Sequence, residues 1–261
     1  AQMQLTPANC KVTGTADVYK CSNTVVENVV SDAGISDEEP ALFVAPNVPS
    51  GFTAVTPTQI SRLNAAPMAA LTFGIPVTNA LYAALQVAQG LNPDLDGDLV
   101  REGQSETADA ADIEANMPSL TREQVASLMK GATASWANFF YNGTALTATP
   151  GVTAPSDSRV NVCRRVNGSG TQAQLNALFL NVPCSSAAEQ PAVDNTSCTN
   201  TTGGVGTSPV CTIGGAYLGY EDLRGVTASQ AIIHENSGSG NVENCLNELQ
   251  DNNRWAIGVQ S

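Results

Sequence analysis

The residues of this chain best suited to chemistry run from Arg165 through Val166-Asn167-Gly168-Ser169-Gly170-Thr171. Their types suit holding an anion, not transforming one. A helix that starts just after a Gly/Ser turn exposes first-turn N–H groups that have no intrahelical partner, and its macrodipole adds partial positive charge there. Gly168 and Gly170 let backbone approach a ligand closely. Ser169 and Thr171 add hydroxyl donors, and Arg165 supplies a fork-shaped cation. The plainer reading of the same residues is a capped helix behind a tight turn, solvated by water.

A second group is acidic. Asn92-Pro93-Asp94-Leu95-Asp96-Gly97-Asp98 places oxygen ligands at alternate positions and Gly sixth, as a calcium loop begins. Asn92, Asp94, Asp96, Asp98 and Glu102 are the residues that would take Ca2+. The twelfth position is Gly103, with Glu102 one residue early, so a solvated acidic turn is the alternative. The single histidine, His234, has no G-x-S-x-G nucleophile turn to serve, and the chain reads as non-catalytic. Trp136 and Trp255 read as core or cleft-wall residues.

Seven cysteines without a C-x-x-C pair point to disulfides in an oxidising compartment. Cys10 and Cys21 can close a short loop. Cys184, Cys198 and Cys211 punctuate a Thr/Asn/Ser/Gly-rich tract, and Cys163 and Cys245 remain for long-range pairing. An odd count leaves one thiol over. Ala1-Gln2-Met3-Gln4 looks like the remnant of signal cleavage. Secretion, periplasmic or extracellular, is the expected localisation.

The elements that must position these groups follow from period and punctuation. Thr56 and Pro57 open a short helix to Leu63. Residues 70–77 read as a buried strand and residues 80–89 as a helix ended by Gly90. Thr121 and Gln124 form a capping box for a helix ended by Gly131. Strands are expected at 42–44, 160–163 and 255–259, and a helix behind Thr171 with Leu175, Leu178 and Phe179 on one face. Alternating strands and helices give an α/β class with a mostly parallel sheet. Charged residues are 13% of the chain against roughly 25% in typical soluble domains. The net charge of -13 disfavours nucleic acid and anionic membranes as partners. No stretch is apolar for long enough to predict membrane insertion.

Four segments occur in a telling order: SDAGISDEEP (31–40), LTREQVASLMKGATASW (120–136), CRRVNGSGTQAQ (163–174) and WAIGVQS (255–261). Together they resemble the phosphate-binding branch of the type II periplasmic solute-binding proteins. The resemblance implies two lobes with mostly parallel sheets around a cleft that closes on an oxyanion. It implies lobe 1 at residues 1–77, abbreviated at both ends. Lobe 2 would span 78–261, with an acidic insertion at 92–118 and a Cys-rich insertion at 184–212. It nominates Ser36, Asp37, Arg165, Ser169, Gly170 and Thr171 as ligand residues, with Asn167 standing where the family has Asp. Asp37 would accept a proton from a monohydrogen oxyanion and so favour phosphate over sulfate. Implied partners are a small oxyanion and a membrane transporter. The alternative is the same fold used as a self-assembling subunit of an extracellular fibre or surface layer.

Overall fold

A computed structural model of the protein describes residues 34, 36, 38–48, 51–66, 72–91, 114–182, 184, 231–236 and 238–261. It also gives the backbone of strands at 10–12, 19–21, 212–213 and 216–217. The chain divides into two compact units, residues 1–37 and 38–261. The expected division at 77/78 falls inside the second unit, because residues 74–78 hydrogen-bond to the last strand of its sheet.

In the first unit β1 (Cys10–Val12) and β2 (Tyr19–Cys21) form an antiparallel pair whose register sets Cys10 opposite Cys21. The second unit opens with a 3-10 turn, Pro40–Leu42, where a strand was expected. Pro40 occupies its first position and fixes φ for a turn. Two helices follow: α1 (Pro57–Ile60) and α2 (Asn79–Gln89), the latter ending at Gly90 in the left-handed conformation. Of the strand expected at 70–77, the described residues 72–77 make only isolated antiparallel bridges, Gly74 to Gln260 and Val77 to Ile257. Pro76 lacks the N–H that a continuous ladder needs. Helix α3 (Arg122–Met129) carries the expected capping box. The hairpin β3 (Phe140–Tyr141) and β4 (Thr144–Ala145) turns on Asn142 and Gly143.

The remaining elements build the centre. They are β5 (Asp157–Arg165), α4 (Gly170–Leu178), the antiparallel pair β6 (Thr212–Ile213) and β7 (Ala216–Tyr217), β8 (Ile232–Asn236), α5 (Ser239–Asp251) and β9 (Arg254–Gly258). Strands β8, β5 and β9 form a parallel sheet in that order. The class is therefore mixed α/β with parallel strands, as the alternation predicts.

Alternation along the strands separates two apolar layers. Val160 and Val162 of β5, Ile233 of β8 and Trp255 and Ile257 of β9 pack with Leu81 of α2, Leu128 of α3 and Leu175 of α4. Cys163 and Ala256 face the other way, against Val242, Cys245, Leu246 and Leu249 of α5. Those four α5 residues recur at i, i+3, i+4 and i+7, the stripe of an amphipathic helix. The two tryptophans are core: Trp136 and Trp255 meet edge to face at 5.9 Å, and Trp136 Nε1 donates to the Trp255 carbonyl at 3.3 Å. A disulfide joins Cys163 to Cys245 across the second layer, both cysteines fully buried. Cys184 is an exposed free thiol.

Close packing of α5 depends on Gly258. A methyl there would lie 3.1 Å from Val242 Cγ1 and 3.2 Å from the Cys163 carbonyl oxygen, and backbone cannot yield cheaply. Gly258→Ala is expected to destabilise the protein by about 1–3 kcal/mol, the usual cost of overpacking, read as a lower urea midpoint at unchanged slope.

One buried and one half-buried titrating group make the fold acid-sensitive. Burial would raise the Asp157 carboxyl, but the Arg159 side chain and N–H, with Arg254, outweigh it and hold the group at about 2. Burial, with the charge of Arg254 adding to it, lowers wholly buried His234 to about 3. His234 in the unfolded chain protonates below about 6.5, while the folded chain keeps it neutral. Stability from this group is thus full above that pH and falls as pH drops towards 3, by about 1.4 kcal/mol per unit. Urea midpoints should decline from pH 6.5 to 4, and His234→Gln should flatten that slope. Asp157 adds its own loss only below about its unfolded value of 3.8.

Candidate functional site

Strands β5 and β8 are neighbours, and the chain leaves their carboxyl ends to opposite faces, β5 into α4 and β8 into α5. In open α/β sheets such a reversal opens a crevice at the strand ends, the usual place for a ligand. The predicted loop forms one wall. Gly168 is exposed at φ 90°, a conformation that favours glycine, and turns the chain from Val166 into α4. Ser169 stands at the N-cap position, yet its hydroxyl accepts no bond from the first turn. The other wall is Asn236 with Gly238, Ser239 and Gly240, where α5 likewise starts without a side-chain cap.

Other α-helices of the second unit are capped by side chains. Helices α1 and α3 carry complete capping boxes, Thr56 with Gln59 and Thr121 with Gln124. Helix α2 has no cap from Thr78, but Gln250 Oε1 accepts from Ala80 N–H at 3.1 Å. Arg165 spans the two walls: its Nη1 donates to Ser239 Oγ at 2.9 Å. Beside it, burial lowers the Arg164 guanidinium and Glu235, 2.9 Å away, opposes that shift.

Of the six predicted ligand residues, Arg165, Ser169, Gly170 and Thr171 come together at this edge. Gly170 and Thr171 are buried, and Thr171 Oγ1 donates to Ser261 Oγ at 2.8 Å, so this predicted ligand hydroxyl is bonded within the protein. Ser36 is exposed and belongs to the first unit, and Asp37 lies outside the described residues. The acidic loop with Asn92, Asp94, Asp96, Asp98 and Glu102 lies outside them too, as does most of the Cys-rich tract. Among the described residues no group of three acidic, His or Cys side chains is spaced to hold a metal. No helix among them is long and apolar enough to cross a membrane.

Sequence reasoning missed Ser239 and Ser261. The signal for Ser239 was present, since a Gly/Ser turn between an apolar strand and an amphipathic stripe repeats the pattern at 160–178. An open depression of about 460 Å³ elsewhere, lined by residues including Thr78, Asn79, Glu243 and Gln260, includes none of the predicted ligand residues. No described protein family, curated protein or solved structure matches the chain.

Proposed function

We propose that this protein is an exported, non-catalytic binding protein that captures phosphate or a related oxyanion between the starts of α4 and α5. One observation carries the reading: two helix starts without side-chain caps follow neighbouring parallel strands, and Arg165 links the end of β5 to the start of α5. First-turn N–H groups, the Ser169 and Ser239 hydroxyls and the Arg165 fork are the donors an oxyanion needs. The ordered resemblance at 31–40, 120–136, 163–174 and 255–261 supports a two-lobed solute-binding architecture that delivers its ligand to a membrane transporter. The buried disulfide suits an oxidising compartment. Calcium at Asn92, Asp94, Asp96, Asp98 and Glu102 would be a separate, structural site.

Titration calorimetry with phosphate, against sulfate as the competitor, tests this. A ligand at a hundred times its Kd should also stabilise the fold by about 2.7 kcal/mol. No heat at millimolar phosphate, with an unchanged melting temperature, overturns the reading.

A second reading, a self-assembling subunit of an extracellular fibre, is favoured by residues 51–66. None of them is buried, Phe52 is 75% exposed and Leu63 is 54% exposed. Size-exclusion chromatography separates the two readings: a monodisperse monomer at high concentration argues against fibres.

A further inference from the structure

The last peptide of β5 before the loop is held from both sides by side-chain amides. Asn236 Nδ2 donates to the Arg164 carbonyl at 3.2 Å. Gln172 Oε1 accepts from the Arg165 N–H at 3.0 Å. From Gln172 the bonding continues inward: its Nε2 donates to Asn176 Oδ1 at 3.1 Å. Asn176 Nδ2 donates to Asn47 Oδ1 at 2.6 Å, and Asn47 Nδ2 to the Leu42 carbonyl at 2.9 Å. All three side chains belong to buried residues: Gln172 and Asn47 are 2% exposed and Asn176 is 0%.

The two ends of this chain fix its direction. A backbone N–H can only donate, so the Gln172 oxygen must face Arg165. A carbonyl can only accept, so the Asn47 nitrogen must face Leu42. Every amide between them then has one permitted orientation. Aligned bonds of this kind polarise one another in a low-dielectric interior. Removing one member leaves a buried neighbour unsatisfied, at the cost of that neighbour's desolvation.

From these contacts we infer that Gln172, Asn176 and Asn47 form a directional amide relay that positions Arg165, so that the segment at residues 42–47 helps set the geometry of the oxyanion crevice. The inference rests on the proposed binding role for its purpose, but not for its existence. Asn and Gln suit the task because they orient a peptide firmly and bring no charge of their own to an anion site. A Glu or Asp here would repel the ligand, and a methionine would leave the peptide to turn.

The test uses the full chain, 15N-labelled, and reads hydrogen exchange and the amide shift of Arg165, with Val162 on the same strand as internal reference. Gln172→Met should speed exchange at Arg165 at least tenfold relative to Val162. Asn47→Leu, two amides away, should speed it at least threefold and move the Arg165 amide signal. A purely local packing role for Asn47 would leave both readings at Arg165 as in the wild type, and that result overturns the relay. Should Asn47→Leu fail to fold, Asn47→Ala carries the same expectation. In calorimetry Gln172→Met should bind phosphate about tenfold more weakly. If the wild type gives no heat, the binding role fails alone, and the exchange data still decide the relay.

Discussion

Arg165→Met is expected to weaken phosphate binding by about thirty- to one-hundred-and-fifty-fold. Arg165 is the only predicted ligand residue that carries a positive charge, and its Nη1 already reaches across to α5. A hydrogen bond to a charged group contributes about 1.5–3 kcal/mol, and the upper part of that range, about 2–3 kcal/mol, corresponds to the expected loss. Methionine keeps the length and apolar stem of the side chain and removes the fork, so the fold should persist. Arg165→Lys should recover only part of the loss, because an ammonium cannot make the bidentate pairing. Calorimetry with phosphate, on variants whose melting temperature matches wild type, gives the answer. Equal affinity in the wild type and Arg165→Met would remove the arginine from the site.

Replacing both Cys163 and Cys245 by alanine should lower stability by about 2–5 kcal/mol. The disulfide spans 82 residues of sequence, and closing a loop of that size restricts the unfolded chain strongly, by about 4.5 kcal/mol on the entropic estimate. Loss of two fully buried side chains from the layer under α5 acts in the same direction. Urea unfolding of the oxidised protein and of the double variant measures the difference. With its cysteines inaccessible, the native disulfide should also resist dithiothreitol until denaturant is added. Ready reduction in buffer alone would mean that this layer opens without global unfolding.

The elements that could be read from sequence are those whose signals are local. Thr121 and Gln124 announce α3 three residues apart, Gly90 closes α2, and the apolar run at 160–163 marks the middle of β5. Residues 40–44 misled because Leu42-Phe43-Val44 is apolar, yet Pro40 fixes a turn before the run can extend. Helix α5 was legible in the stripe of Val242, Cys245, Leu246 and Leu249 and was passed over, hidden behind a serine- and glycine-rich lead. The site divides in the same way. Its loop at 165–171 is a local pattern of residue types. Ser239, Ser261 and Asn47 reach it through contacts 74, 90 and 129 residues apart in sequence. A buried Asn or Gln is indistinguishable in sequence from one on the surface, so no motif could have announced the amide chain.

The bare α-carbon of Gly258 has a reach beyond stability. Its nearest neighbour, Val242, sits in the opening turn of α5, the turn that carries Ser239. Any side chain at 258 would wedge that turn outward and carry the serine away from Arg165. The position of the start of α5 against β5 is therefore set from beneath, by a residue without a side chain. Substitutions at this one position offer a way to move the start of α5 without replacing any donor residue.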